Sequence, residues 1–191
     1  MIRKMIGEKV ILSPLDSSEA DVMSKWGNDL DITLGTPIAS HNVSLEKVTD
    51  WLKKLEENGE YFYIVARDSK DLIGTIGIIN KDQINQWAEL GIMIGAKDHW
   101  HQGYGTEAMV LMCDFCFSIL NCHTVRLEVY EFNRIALNCY KKLGFKECGR
   151  YHQAKKLAGQ WFDCIQLEMM EDDFQSPYVA RLIQNRLQGL V

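Results

Sequence analysis

Apolar positions along the chain fall into two rhythms, and the changes of rhythm mark the elements. Val10 to Leu15 is a short apolar run closed by Pro14 and predicts a strand. Ser17 to Trp26 begins with serine and carries acids in its first turn, the signature of a helix start. A loop, Gly27 to Asn42, follows. Ser44 to Glu57 then sets Leu45, Val48, Leu52 and Leu55 at helical spacing and stops at Asn58-Gly59. Tyr61 to Arg67 and Leu72 to Ile79 are β-rich runs joined by the turn formers Asp68 to Asp71, a hairpin. Trp87 to Ile94 supplies a third strand, and Thr124 to Tyr130 another beyond a long apolar helix. Asn133 to Leu143 predicts a helix ended by Gly144, with Ile135, Ala136, Cys139, Tyr140 and Leu143 on one stripe. Lys146 to Tyr151 and Trp161 to Met170 are two closing strands separated by a polar loop, His152 to Gln160. The tail from Pro177 to Leu190 places Val179, Leu182, Ile183, Leu187 and Leu190 on one side of an amphipathic helix.

This order predicts an α/β (α+β) chain around a mixed sheet of six to seven strands, antiparallel first and parallel later. The 191 residues suit one domain over 1–175, with 176–191 a helix that packs on that domain or on a partner subunit, a hint of a homodimer. A net charge of −5 disfavours binding to nucleic acid or anionic membranes, which relies on clustered Lys and Arg, and leaves a cationic small substrate open. The first residues carry charge without an apolar core, so no secretory signal is expected. The longest apolar stretch, Ala108 to Leu120, is too short to span a bilayer and contains Asp114; cytoplasmic placement is the expectation. The six cysteines sit mostly in apolar runs, as reduced buried thiols do. Cys113-Asp-Phe-Cys116 lies inside a helix, away from the dipole that activates a thiol, and Cys122-His123 lacks the partners of a closed zinc site, so neither redox nor metal chemistry is expected. His41, His99, His101 and His152 fall in polar loops and read as solvated.

One segment carries chemistry. Glu89 to Gly95 ends a strand, and Trp100-His101-Gln102-Gly103-Tyr104-Gly105-Thr106 leads straight into the apolar helix. Amides of such a loop and first helical turn point outward unpaired, and the helix dipole adds positive potential, so a diphosphate can be held without a cationic side chain. Gly103 to Ala108 also satisfies the dinucleotide fingerprint G-x-G-x-x-A, but Ala96 to Gln102 intervene after the strand and four strands come before, which opposes a Rossmann unit.

With this loop in place, the order of elements over nearly the whole chain resembles the GCN5-related N-acetyltransferase (GNAT) family. The family's loop pattern falls on Trp100, Gly103 and Gly105, and its second signature on Asn133, Ala136, Tyr140 and Gly144-Phe145. Trp100 and the late Gly159-Gln-Trp161-Phe-Asp163 resemble the ribosomal-protein N-terminal acetyltransferase subgroup. The resemblance implies acetyl-CoA as cosubstrate, no metal, and splayed strands around the cofactor. It implies cofactor contacts at Ile92, Met93, Ile94, the loop Trp100 to Thr106, Asn133, Ala136 and Tyr140.

Acetyl transfer to an amine sets three tasks. A primary amine with pKa near ~10 is only about 0.1 % neutral at pH 7, so a base must take its proton. Glu89, if partly desolvated, is the candidate, with Asp29, Asp31, Glu128 and Asp163 as alternatives. Charge on the thioester oxygen needs a donor, which the amides of Ile92 to Ile94 would supply, with Gly91 and Gly95 allowing close approach. The leaving thiolate gains from a proton, and the resemblance implies Tyr140 as the acid; Asn133 lies two turns away, about 10.5 Å along the helix. The family places its acceptor against the first helices and the last hairpin, here Trp26 to Asn42 and His152 to Gln160. Trp26, Asp29 and Asp31 are the candidate acceptor residues, Lys155 and Lys156 would oppose a cation, and a polyamine, an aminoglycoside or a protein N-terminus all remain open. A non-catalytic acyl-CoA sensor is the rival reading.

Overall fold

The computed structural model describes residues 2–189, with Asn58 through its backbone alone. Leu190, placed on the apolar side of the last helix by its spacing, lies outside the described residues. Eight strands follow the order β1-β2-β3-β4-β5-β6-β8-β7, mixed but mostly antiparallel, and six α-helices accompany them among the described residues. The chain forms two compact units, residues 1–77 with 92–108 and residues 78–91 with 109–191; β4, β5 and the helix α4 run through both.

The first unit holds β1 (Met5–Ile6), β2 (Val10–Pro14), β3 (Tyr61–Ala66) and the start of β4 (Leu72–Asp82), all antiparallel where registered, with the end of β5 (Trp87–Ile94). β1 is too short to show a period of two, so the sequence pattern missed it. Val10, Ile11 and Leu12 are all essentially inaccessible, which explains the unbroken apolar run: β2 is covered on both faces. Its Ile11 joins Leu15, Ala20, Met23, Val48, Leu52, Tyr63 and Val65 in one core. α1 (Ala20–Gly27) follows a 3-10 turn capped by Asp16, which accepts from the Ser18 amide, rather than a serine-capped helix from Ser17. The expected loop to Asn42 contains α2 (Leu30–Thr33), capped by Asp29, and a 3-10 turn at Pro37–Ser40. α3 (Leu45–Asn58) has its Ser44 cap and its left-handed Gly59 stop, but Leu45 is exposed while Val48 and Leu52 are buried.

The second unit is built on β6 (Thr124–Tyr130), β7 (Lys146–Leu157) and β8 (Gln160–Met170). β6 pairs parallel with β5 at Trp87↔Thr124, Ala88↔Val125 and Glu89↔Arg126, where the registered ladder ends, and antiparallel with β8 along its whole length. Alternation sorts its residues: Val125, Leu127 and Val129 are buried opposite Met169, Leu167 and Ile165, leaving Arg126, Glu128 and Tyr130 opposite Glu168, Gln166 and Cys164 on the other face. The expected polar loop His152 to Gln160 is largely strand. β7 continues through a register shift between Tyr151 and Lys155 and turns into β8 at Ala158-Gly159, both with positive φ. In α5 (Arg134–Leu143) Leu137 and Tyr140 are the buried residues and Ile135 is 65 % exposed, so the buried stripe is rotated from the one the spacing predicted. Cys148 is exposed, against the expectation for thiols in this chain.

Asp114, on α4 (Tyr104–Ser118), is fully buried and satisfied. It accepts from Ser118 Oγ and Ser176 Oγ at 2.7 Å, the Tyr178 amide at 2.8 Å and the Val179 amide at 3.0 Å. A carboxylate from another helix thus does the capping that α6 (Val179–Gln188) lacks from its own Tyr178. Val179 is buried, while Leu182, Ile183 and Leu187 remain exposed. No described helix is long and apolar enough to cross a membrane. An Asp114→Ala substitution strands two amides and two hydroxyls and is expected to lower the unfolding free energy by about 2–4 kcal/mol, read from urea denaturation. An unchanged midpoint would contradict this capping role.

Candidate active site

In the first unit the glycine loop is shaped by what precedes it. β5 ends at Ile94, and the Gly95 and Ala96 amides both donate to Ile73 O, at 2.9 and 3.1 Å, which turns the chain away from the strand. The two strands approach too closely for side chains: a Cβ on Gly74 would stand 2.2 Å from the Met93 carbonyl oxygen. Gly95 lies under the indole of Trp26, 2.0 Å from where a Cβ would be, so Trp26 covers the chain just past the end of β5. In the second unit the side chain of Ile79 takes the space over Gly91.

Trp100 stands where the family pattern commonly has Arg or Gln, and its Nε1 donates to Ile94 O at 2.9 Å, tying the loop back to the strand end. The Gln102 side chain donates to Asp98 O. His101 and Gly103 have positive φ, 61° and 85°, which swings the backbone into the start of α4. The Glu107 amide closes the first bond of the helix onto Gly103 O at 3.0 Å, and the amides of Gly103, Tyr104 and Gly105 take no partner among the described residues. Thr106 completes this first turn. Ile92 and Ile94 lie beneath Gly105, whose Cβ would be 3.9 and 3.4 Å from their side chains. His99 is not solvated as expected. Its side chain is 19 % exposed, its ring meets Tyr104 edge-on at 5.3 Å, and its Nδ1 is buried without a partner among the described residues.

Two residues that the motif did not single out complete the loop. Glu107 accepts from the Glu8, Lys9 and Val10 amides, each at 2.7 Å, and so binds the β1–β2 turn to the first turn of α4. Lys9 Nζ donates to Gln102 O at 2.8 Å. Glu107 sat in plain view within the glycine segment, but its partners lie about a hundred positions upstream, where no local spacing reveals them.

In the second unit Asn133 caps α5, its Oδ1 accepting from the Ala136 amide at 3.2 Å, which leaves the side-chain NH2 as its remaining donor. Tyr140 packs edge-on against Phe145 at 6.1 Å, and Gly144 in the left-handed region ends the helix between them. The Tyr140 ring is buried, and no described residue hydrogen-bonds its hydroxyl. Burial pushes its pKa well above the ordinary phenol value.

Glu89 is half-buried on β5, and desolvation followed by the neighbouring Glu128 raises its pKa against the opposing pull of Arg126. Glu128 accepts from Gln166 Nε2 at 3.2 Å and Cys164 Sγ at 3.7 Å, and burial with this carboxylate pushes the Cys164 thiol up to about 11. Tyr130 stacks on Phe132 at 5.6 Å and carries Lys155 Nζ over its ring at 4.6 Å; Lys156 lies over Trp161. Asp163 is committed elsewhere: the Gln153 amide, His152 and Arg150 all bind it and hold its pKa down, which unsuits it as a base. Asp29 and Asp31 are likewise engaged, both 2.8 Å from Lys97 Nζ, so one cation offsets half of the charge expected to attract an acceptor.

The acetyltransferase (GNAT) domain family matches residues 9–146. The chain belongs to this family, and it is an acetyl-CoA-using N-acetyltransferase. A spermidine N(1)-acetyltransferase of Vibrio cholerae serotype O1 is 30 % identical over 129 residues, covering 68 % of this chain and 72 % of that protein. The uncharacterized N-acetyltransferase p20 of Bacillus licheniformis is 24 % identical over 173 residues, 87 % of this chain and 96 % of its own. Among solved structures, spermidine N-acetyltransferase of Vibrio cholerae in complex with CoA and spermine superposes with a TM-score of 0.75 at 23 % identity, covering 87 % of this chain and 98 % of that one. These matches support the family and not the ribosomal-protein subgroup in particular.

Gly103→Ala tests the loop, because an L residue at φ 85° costs about 1–2 kcal/mol and the backbone would shift to relieve it. Calorimetric titration with coenzyme A should show binding weakened about tenfold; wild-type affinity would show that this conformation is not needed.

Proposed function

We propose that the protein transfers the acetyl group of acetyl-CoA to a primary amine of the polyamine class, by direct attack within a ternary complex. The observation that carries this reading is Glu89, a half-buried carboxylate whose pKa is raised by desolvation and by Glu128. Such a group is a stronger proton acceptor than a surface acid, and together with Glu128 it presents negative charge that a polycation would seek. Three curated relatives are named spermidine N(1)-acetyltransferases, which supports the same acceptor class.

In the reaction the neutral amine attacks the thioester carbonyl, a C–N bond forms and the C–S bond breaks. The amine's proton passes to Glu89, directly or through a water, and the departing thiolate takes a proton from Tyr140. The open amides of Gly103 to Gly105 would hold the coenzyme's diphosphate, and Asn133 would offer its NH2 to the pantetheine arm. The amides of Ile92 to Ile94 would face the acyl carbonyl. Trp26 and the Lys97-bridged Asp29 and Asp31 would serve as one side of the acceptor site. A protein N-terminus is the second acceptor reading, since the net charge left on Asp29 and Asp31 suits a single ammonium as well.

Tyr140→Phe should lower kcat at least tenfold in a thiol-release assay with spermidine while leaving the Kd for coenzyme A within twofold. Unaltered turnover would remove the phenol from the mechanism. Glu89→Gln should lower kcat about 100-fold. In the wild type, kcat should fall as pH drops through the raised Glu89 pKa, because protonation below it removes the base, and that acid limb should vanish in the variant. A limb that survives the substitution would assign the base to another group. Absence of thiol release with spermidine, other polyamines and N-terminal peptides alike, despite coenzyme A binding, would favour a sensor.

A further inference from the structure

We propose that Lys9, from the turn between β1 and β2, is a positioning residue of the coenzyme A diphosphate site, acting through the Gln102–Gly103 peptide. The inference rests on the reading that the loop at Gly103 holds a diphosphate. Lys9 Nζ donates to Gln102 O at 2.8 Å, and that oxygen shares a rigid, planar amide with the Gly103 N–H. Drawing electron density toward the oxygen makes the N–H at the other end a stronger donor, and this is one of the amides without a partner among the described residues. The ammonium also lies 3.6 Å from where a Gly103 Cβ would stand and 5.9 Å from the centre of the Tyr104 ring, so a full positive charge adjoins the helix start.

The lysine's placement is prepared before any ligand arrives. Its own amide and those of Glu8 and Val10 are held by Glu107, its carbonyl accepts from the Arg67 amide at 2.7 Å, and the Gly7 carbonyl accepts from Arg67 Nη1 at 3.0 Å. A turn bound on both sides fixes where the ammonium can reach, so little side-chain freedom remains to be lost on binding. The exchange is reciprocal: the helix gives a carboxylate to the turn, and the turn gives an ammonium to the loop.

A tie that merely held the loop would affect every acyl donor alike, whereas polarised amides matter only for a donor that carries phosphates. The test compares kcat/KM for acetyl-CoA, acetyl-dephospho-CoA and S-acetylpantetheine in the wild type, Lys9→Met and Lys9→Arg. Lys9→Met should lose about tenfold against both phosphate-bearing donors, through KM with kcat within twofold, and lose nothing against S-acetylpantetheine. Lys9→Arg should recover most of the loss. The side chain is exposed, so the melting temperature of the free protein should be unchanged. Equal loss against all three donors, no loss, or loss confined to acetyl-CoA, which would assign Lys9 to the 3′-phosphate, would each overturn the proposal. A wild type that bound no coenzyme A would overturn the reading of the loop itself and this inference with it.

Discussion

Three amides at the start of α4 stand without partners among the described residues, and much of the first unit is arranged to keep them so. A helix start left uncapped is normally completed by a side chain from the preceding residue. Here Gly103, in the left-handed region, carries no side chain that could fold back and accept from them. Glu107, a carboxylate well placed to cap its own helix, is turned outward to three amides of the β1–β2 turn. That carboxylate is thus occupied, and a negatively charged ligand would find donors already aligned, with no rearrangement to make on arrival.

The second unit holds two ionisable groups whose proton affinities are raised above those they would have in water. Tyr140 is buried against Phe145 and stays a phenol; Glu89 is half-buried beside Glu128 and holds protons more tightly than a surface acid. Both shifts come chiefly from desolvation. Cys113 shows the same effect: buried in α4, with Asp114 beside it, its thiol pKa is pushed up.

Strong local patterns in the chain were legible. Trp87 to Ile94 and Thr124 to Tyr130 coincide with β5 and β6, and Ser44, Gly59, Asn133 and Gly144 bound their helices because caps are read from one or two residues. Elements whose pattern is not apolar were not legible. β7 runs through the polar residues from His152 to Leu157 because a half-exposed hairpin needs backbone pairing and not burial. Ile135 was misplaced for the converse reason, since an apolar residue can remain exposed when the helix packs through Leu137 and Tyr140. At the candidate site the glycines and Tyr140 were visible as a motif. Lys97 on Asp29 and Asp31, and Glu107 on the amides of residues 8 to 10, were not, because a long-range ion pair or hydrogen bond leaves no periodic trace.

The claim that the loop's unpaired amides are the diphosphate site is tested most directly by the amide proton shifts of Gly103, Tyr104 and Gly105 in isotope-labelled protein titrated with coenzyme A and, separately, with pantetheine. New hydrogen bonds to phosphate oxygens should move these three resonances downfield with coenzyme A and leave them nearly unmoved with pantetheine. Resonances that stay fixed while coenzyme A binds, or that move equally with both ligands, would contradict the account.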